Sequence, residues 1–444
     1  MKSLKNKKTI MIVIICFVVL IISGIYLINP KLFKLDKDKS LNSIENQVYP
    51  NQSNNHKDLI EKIKSTNKIG VYHDYHAESV DKIKPVYVKD KNIINDYLNL
   101  LSKNVKKSNE EMSGGSVNNQ KLVFYTDNET IEVNYSYDDL YNFGFITYKG
   151  EDIYLNYDFF RLISNTQRYS PKESSIDEDA RKLLKKYNWT PSFLIANHKI
   201  NISDDLKYAP EKGIDEVYWA YNLQFSKSIG LDFSNLLGEE VNAEVYYLLD
   251  PLPDLDTPIV DANAVILRQN KKIVGAYIDS GILNRALCSL DRKSFKEITD
   301  LTIEDYLIQN HIDQNSKLNK KVENLSTEEL IKSYYKSQRD KDVNKYLSTL
   351  DMGAIVSLLD PYEFDIQAEL FNKLDENNTI FKHANETEVL EVKDNGESNG
   401  IKDVNIKINI LKCNQITIDK GIYDMIVSMR KNENGVYKIN SVGF

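Results

Sequence analysis

The chain has 444 residues and is 41% hydrophobic, which is enough for more than one buried core and suggests two or three domains. Its formal net charge of −8 argues against nucleic acid and against an anionic membrane surface as partners. With three cysteines in all, it cannot be a small domain held together by disulfides.

The N-terminal segment predicts a membrane anchor. The run from Ile10 to Ile28 carries no charge and matches the roughly 20 apolar residues that a helix needs to cross a bilayer. Lysines at positions 2, 5, 7 and 8 precede the run, and lysines stay on the cytoplasmic side. Because no small-residue cleavage site follows, we favour an uncleaved anchor over a signal peptide. We therefore expect a cytoplasmic tail at residues 1–9, a transmembrane anchor at 10–28 and an extracellular remainder.

The next segments predict a stalk and a first domain. Residues 29–58 are polar and show no apolar period, which is typical of a disordered stalk. Residues 59–165 predict a small α+β domain with a meander sheet, in which Asp90 caps a helix. Its strands are expected at 69–76, 85–88, 122–125, 131–135, 145–148 and 153–155, the last four as two hairpins with turns at 127–129 and 149–152.

A second α+β domain is predicted at residues 176–310, after a polar linker. Asp177 caps its first helix, and a longer helix at 217–229 ends at Gly230. Strands are expected at 193–195, 199–202, 241–249, 262–268 and 272–278, and a last helix at 295–309.

After a second linker at 311–324, residues 324–444 predict a third α+β domain. Ser326 and Glu329 form a capping-box pattern at the start of its first helix. Strands follow at 386–392, 404–411, 422–429 and 435–442. In this order of elements, the helices come first and a long antiparallel sheet follows. The order predicts that the helices lie across one curved sheet.

Two sets of motifs resemble known domain families. The stretch LSTEELIKSYY at 325–335, the turn DKD at 340–342 and the ending YKINSVG at 437–443 resemble nuclear-transport-factor-two-like cone domains on anchored proteins of low-GC Gram-positive bacteria. The stretches YNW at 187–189, IGLDF at 229–233 and IVGAYID at 273–279, with Gly238, resemble a second family from the same bacteria. That family often has glycine in place of Asn188 and Ala276. The resemblance implies fold and an extracytoplasmic location, and no activity.

A histidine pair and an aspartate cluster are the candidate metal ligands. His73 and His76 stand three residues apart on a predicted strand, so their rings point to opposite faces and we expect a surface strand rather than a metal site. Extracellular calcium binds carboxylates on flexible loops, but the aspartate spacing is not that of an EF-hand. We therefore favour a loop stiffened by prolines, keep calcium as the alternative, and predict no cofactor. The four aspartates of this loop are Asp250, Asp254, Asp256 and Asp261.

A second polar cluster follows the strand predicted at 272–278. An arginine near Cys288 would lower the pKa of its thiol, but no histidine lies close in sequence to act as a base. We therefore favour a turn with a buried cysteine over a catalytic thiol, and keep Asp279 and Arg285 as candidate binding residues. The cluster consists of Asp279, Arg285, Cys288, Asp291 and Arg292.

The predicted cone encloses a pocket that Tyr334 and Tyr335 would line, although tyrosines at helical spacing are typical of a plain core. No motif of a known catalytic site stands in the sequence, so we predict no catalytic residue. We expect a non-catalytic module at the cell surface that binds a peptide, a cell-wall fragment or a neighbouring membrane protein. The alternative is a small-molecule-binding protein or enzyme that uses the C-terminal cone pocket. A signalling receptor is a third interpretation, and it would need a partner helix in the membrane.

Overall fold

The structure is a computed structural model that describes residues 53–74, 83–103, 105, 117–138, 143–250, 252, 262–280, 288–359, 381, 385–398, 400–413, 419–432 and 434–443. None of the helices in these ranges is both long enough and apolar enough to cross a membrane. The predicted tail at 1–9, the predicted anchor at 10–28 and the predicted stalk up to residue 52 lie outside the described residues.

The first sheet has six antiparallel strands in the order β2-β1-β3-β4-β5-β6. Alternate residues, such as Ile69 and Val71, face inward and pack against three helices. Both predicted hairpins are confirmed, as is the helix cap, where Asp90 Oδ1 accepts from the backbone N–H of Asn92 at 2.8 Å. The elements are α1 (Asn54–Ile63), β1 (Lys68–Tyr72), β2 (Val86–Val88), α2 (Lys91–Leu101), β3 (Val117–Tyr125), β4 (Thr130–Asp138), β5 (Phe143–Tyr148), β6 (Glu151–Leu155) and α3 (Tyr157–Tyr169).

Helix α1 begins within the segment that the sequence predicts as a disordered stalk. Ser53 accepts from the backbone N–H of His56 and so caps the helix. Leu59 and Ile63 are buried on its inner face. Residues 54–58 are polar, and they are held by the cap, by these apolar side chains and by hydrogen bonds from Asn55 to Glu151 and between His56 and the carbonyl of Leu101.

The second sheet has four antiparallel strands in the order β10-β9-β8-β7, with α5 on one face and α4 on the other. The two strands predicted at 193–195 and 199–202 are one strand, β7, which continues its pairing with β8 through two irregularities of register. The elements are α4 (Glu178–Lys186), β7 (Pro191–Asn201), α5 (Asp215–Ser228), β8 (Glu240–Leu248), β9 (Ala262–Gln269) and β10 (Lys272–Ser280).

The helix predicted at 295–309 is two helices, α6 (Phe295–Thr299) and α7 (Ile303–Asn310). Asp300 lies between them with φ 62°, a left-handed conformation that ends α6, and Thr302 caps α7. A further helix, α8 (Lys317–Val322), lies in the segment predicted as a linker, where Ser316 caps it.

The third sheet has four antiparallel strands in the order β11-β12-β13-β14, preceded by three helices. The capping box of Ser326 and Glu329 is confirmed at the start of α9. The elements are α9 (Thr327–Asp340), α10 (Val343–Thr349), α11 (Met352–Leu358), β11 (Glu386–Ser398), β12 (Ile401–Lys412), β13 (Gly421–Lys431) and β14 (Tyr437–Gly443).

Apolar packing runs across the predicted domain boundaries. One buried cluster extends from Ile200 on β7 through Leu330 on α9 to Ile439 on β14. Phe193 and Tyr247 of the second sheet belong to the core of the first sheet. Ser53–Phe444 accordingly form one compact unit. The α+β class with three sheets is confirmed, and the division into three domains stays a prediction.

The turn after α4 depends on a residue with left-handed backbone conformation. Asn188 has φ 60°, and the backbone N–H of Trp189 donates to the carbonyl of Leu184 at 3.0 Å. Trp189 is 1% exposed and donates from Nε1 to the carbonyl of Leu290 at 2.7 Å. Glycine favours this backbone conformation, which accounts for the glycine that the resembled family often has at this position.

Replacement of Asn188 tests this turn. We expect Asn188→Ala to lower the free energy of unfolding by about 1 kcal/mol, because an alanine side chain is strained at positive φ. Asn188→Gly relieves that strain and should leave the free energy unchanged or higher. Lys186, in the right-handed helix α4, is the control, because there alanine should be more stable than glycine. Urea denaturation followed by circular dichroism measures all four variants, and the same rank order at both positions would contradict the left-handed assignment.

Candidate functional site

A cleft of about 330 Å³ opens between the helices α7 and α8 on one side and the hairpin of β13 and β14 on the other. The start of α11 forms a third wall through Asp351, Met352 and Gly353. This volume lies at the lower end of the range of small-molecule sites. We call it the polar cleft, because its wall carries charges of both signs: Glu304, Asp305, Asp351, Lys320, Arg430 and Lys438.

Asp351 presents a carboxylate held in one position. Its Oδ1 accepts from the backbone N–H of Ala354 at 2.8 Å and so caps α11, and its Oδ2 accepts from Asn440 Nδ2 at 2.9 Å. Burial raises the pKa of Asp351, while these hydrogen bonds and the positive charge of Arg430 oppose the rise. Glu304 on α7 lies near enough to add to the negative potential at this wall.

Lys438 presents a buried ammonium group on the wall that β13 and β14 form. The residue is 4% exposed, and its Nζ donates to the backbone carbonyl of Ser348 and, at 3.4 Å, to Asn319 Oδ1 on α8. A buried charge is retained in a fold only where hydrogen bonds satisfy it. These contacts therefore set the position of β14 against α8 and against the end of α10.

Arg430 lies directly opposite Lys438 in the register of β13 and β14. It is exposed, and it makes no hydrogen bond or ion pair of 4 Å or less with the side chains that the structure describes. The next residue, Lys431, instead pairs with Glu397 at 3.0 Å. Like charges on opposite positions of an antiparallel pair repel each other unless a counter-charge lies between them. The polar cleft thus holds the positive charges of Arg430 and Lys438 close to the carboxylate of Asp351, whose backbone N–H donates to the carbonyl of Ile439 on β14 at 2.9 Å.

His73 lies outside the polar cleft, and the expectation that it stands on the surface is wrong. It is 2% exposed, with Nδ1 3.0 Å from the hydroxyl of Tyr135 and Nε2 3.3 Å from that of Tyr137. The ring of His73 continues the inward alternation of Ile69 and Val71 and lies between these tyrosines. Burial lowers the pKa of His73 to about 4. His76 lies outside the described residues.

The aspartate loop is described only at its start. Asp250 accepts hydrogen bonds from the backbone N–H and the hydroxyl of Thr190, so it fixes the end of the loop against β7. Asp254, Asp256 and Asp261 lie outside the described residues. Within the ranges that the structure does cover, no three carboxylate, histidine or cysteine side chains gather to hold a metal ion.

Asp279 and Cys288 are both buried beside β10. Asp279 is 6% exposed and accepts from the hydroxyl of Tyr218 at 3.4 Å, and that hydroxyl lies 2.9 Å from the hydroxyl of Tyr277. Burial raises the pKa of Cys288 to about 12, so at neutral pH it is a thiol and a poor nucleophile. Arg292 stacks on Trp189 at 3.9 Å, and Arg285 lies outside the described residues.

Tyr334 and Tyr335 belong to an aromatic cluster between the helices and the third sheet. Their rings lie 5.1 Å apart, and Tyr334 packs on Tyr346 at 5.2 Å, which contacts Phe381 at 5.3 Å. The hydroxyl of Tyr335 is buried and has no hydrogen-bond partner among the residues with described positions. Neither tyrosine lines the polar cleft.

Asp351, Arg430 and Lys438 line the polar cleft, and none of them is among the candidate residues predicted from the sequence. Asp351 carried a signal, since an aspartate before a short apolar run is typical of a helix cap. Arg430 and Lys438 carried none, because charged residues are common on strands with one face in solvent.

The burial of His73 predicts a dependence of stability on pH. Its folded pKa is depressed, so as pH falls below about 6.5 the unfolded chain takes up a proton first. We expect the free energy of unfolding to fall by up to about 3 kcal/mol between pH 6.5 and 4 from this residue. His73→Gln should flatten the curve in that window, and His198→Gln on β7 is the control. Urea denaturation at pH 7 and 4.5 measures the difference, and equal slopes for both variants would contradict the assignment.

Comparison with known proteins locates one family match. Residues 183–278 match the model of a domain of unknown function (DUF4830), which covers roughly a fifth of the chain. No curated protein matches the chain. The matched segment runs from α4 to β10, and so includes Asn188, Gly230, Gly238 and Gly275. An uncharacterised domain in the middle of the chain is what the sequence motifs predict there. Apart from Tyr208, the residues that line the polar cleft lie beyond the matched segment along the chain.

Proposed function

We propose that this protein is a non-catalytic binding module held at the outer face of a cell membrane, and that the polar cleft is its ligand site. The observation that carries the proposal is the arrangement of charges in one cleft. Arg430 and Lys438 are neighbours across the strand pair of β13 and β14, and Asp351 at the start of α11 and Glu304 on α7 line the same cleft. Because the guanidinium of Arg430 has no described ion-pair partner, a ligand anion is the group that completes this wall.

The chemistry of the ligand follows from the positive and the negative groups that line the polar cleft. A carboxylate fits between Arg430 and Lys438, since a guanidinium binds it through two parallel hydrogen bonds. An ammonium group fits near Asp351 and Glu304, whose negative charges favour a cation. A molecule with both groups within one small volume is a free amino acid or a short peptide. This supports the peptide form of the binding hypothesis.

The location rests on the sequence. The uncharged run at residues 10–28 and the lysines before it support an anchor with the rest of the chain outside the cytoplasm. An uncleaved anchor keeps the polar cleft near the membrane, where peptides released from the cell wall are available.

The alternative is a small-molecule-binding protein or enzyme that uses the C-terminal cone. Three helices followed by a four-stranded antiparallel sheet support the cone resemblance. The aromatic cluster around Tyr334 occupies the space between α9 and the sheet, which supports a ligand site at the edge of this fold rather than inside it. Turnover of a bound ligand is the observation that would favour the enzyme.

Isothermal titration calorimetry on the full chain in detergent micelles tests the proposal. The probes are alanyl-alanine, soluble muropeptides and an uncharged disaccharide. We expect a peptide probe to bind and Arg430→Gln to weaken it about tenfold or more, because a hydrogen bond to a charged group contributes roughly 1.5–3 kcal/mol.

The matched control is Arg339→Gln, the same change on the exposed side of α9. It should leave the affinity unchanged. Equal affinities for the two variants, or no binding of any charged probe, would count against the polar cleft as the ligand site. Arg430 is exposed, so its replacement should not impair folding.

A further inference from the structure

Three tyrosines converge on the outer face of the first sheet, far along the chain from the polar cleft. Tyr87 on β2, Tyr72 on β1 and Tyr125 on β3 lie on the face opposite the buried residues Ile69 and Phe124. We call these three residues the tyrosine platform. No helix of the described chain belongs to this face, because the three helices α1 to α3 pack on the other.

Gly70 allows the three rings to meet. It lies directly opposite Tyr87 in the register of β1 and β2. A Cβ atom at this position would lie 3.3 Å from ring atoms of both Tyr72 and Tyr87, and 3.6 Å from Tyr125. Val123, opposite Gly70 on β3, is 3% exposed although it faces outward. The rings therefore lie over the sheet and cover it rather than standing away from it.

Two lysines frame the rings. The Nζ of Lys68 lies 3.7 Å from the centre of the Tyr125 ring and 5.1 Å from that of Tyr87. The Nζ of Lys121 lies 4.7 Å from the centre of the Tyr72 ring and 3.5 Å from Glu132. Glu132 offsets the charge of Lys121, but the two lysines and this carboxylate together keep a net positive charge, which favours an anionic ligand over a cationic one.

The hydroxyl groups stay protonated at neutral pH. Burial raises the pKa of Tyr72 to about 12, and the neighbouring hydroxyl groups of Tyr87 and Tyr125 add to the rise. The tyrosine platform thus offers aromatic faces, neutral hydroxyl groups and two ammonium groups on one rigid sheet. Tyrosine supplies such amphipathic contact at low cost in side-chain entropy.

The size of the tyrosine platform argues against a protein partner. Tyr87, at 46%, is the one large hydrophobic residue of the described first sheet that is classed as exposed. A stable protein interface buries about 800 Å² on each partner around an apolar centre. Three tyrosines bury about 150–250 Å² each when fully covered, and these rings are already partly covered. The area suits one or two sugar rings.

We propose that the tyrosine platform binds a cell-wall glycan of pyranose sugars that carry carboxylate groups. A pyranose presents an apolar face of C–H groups that stacks on a tyrosine ring, and its hydroxyl groups pair with the tyrosine hydroxyls. Lys68 and Lys121 donate to the carboxylates. This site is separate from the polar cleft, but the choice of a cell-wall ligand rests on the proposed location outside the membrane. It would give the protein a second contact with the same cell wall.

The test is binding of peptide-free cell-wall glycan strands, whose muramic acid units carry free carboxylates, to the full chain in detergent micelles. We expect binding that weakens about tenfold or more in Tyr87→Ala. Gly70→Ala should also weaken it, because the added methyl group displaces two rings. The neutral sugar chitohexaose should bind less tightly than the anionic strand.

Tyr154→Ala is the matched control, since Tyr154 lies on the outer face of the same sheet, on β6 and beside Phe145. It should bind the strands as the unchanged protein does, and so should Arg430→Gln, which separates this site from the polar cleft. Equal loss in Tyr87→Ala and Tyr154→Ala, tighter binding of chitohexaose, or no binding to glycan would overturn the proposal. Circular dichroism of each variant shows whether the fold is retained.

Discussion

The buried ammonium group of Lys438 is the constraint on which the polar cleft depends. A charge that is 4% exposed is tolerated only with hydrogen bonds, and its acceptors come from Ser348 at the end of α10 and Asn319 on α8. These contacts hold the last strand against two helices that are distant in sequence. The position of Arg430 is set in turn, because the strand register places it across from Lys438. One buried cation therefore ties the strand wall of the cleft to its helices and adds to its positive charge.

The two candidate binding sites depend on different kinds of interaction. The polar cleft depends on desolvated charges at the edge of the large core that joins the second and third sheets. The tyrosine platform depends on ring faces supported by a glycine, on the solvent side of the first sheet. Hydrophobic packing beneath each surface keeps it rigid, since Leu330 and Ile439 belong to one core and Ile69 to the other. Neither surface needs a change in the other to act.

Local patterns in the sequence were enough to predict most helices, both hairpins of the first sheet and the caps at Asp90 and Ser326. The surroundings of the candidate site residues depend instead on contacts between residues that are distant in sequence. The hydrogen-bond partners of His73 are tyrosines more than sixty residues later, and Asp351 and Asn440 are 89 positions apart. Periodicity gives the face of a strand but not the strand that lies opposite, so the pairing of Arg430 with Lys438 had no signal in the sequence.

The irregular pairing of β13 with β14 has a consequence for how this site can change. Ser428 pairs with Ser441 and Met429 with Ile439, so Asn440 is an extra residue that the ladder itself does not require. Its amide instead contacts Asp351 at the start of α11. Loss of that single residue would leave the neighbouring pairs in register and the sheet intact. Among related chains, a one-residue deletion at this point would mark a protein that has kept the fold and lost one of the two side-chain hydrogen bonds that hold the carboxylate of Asp351.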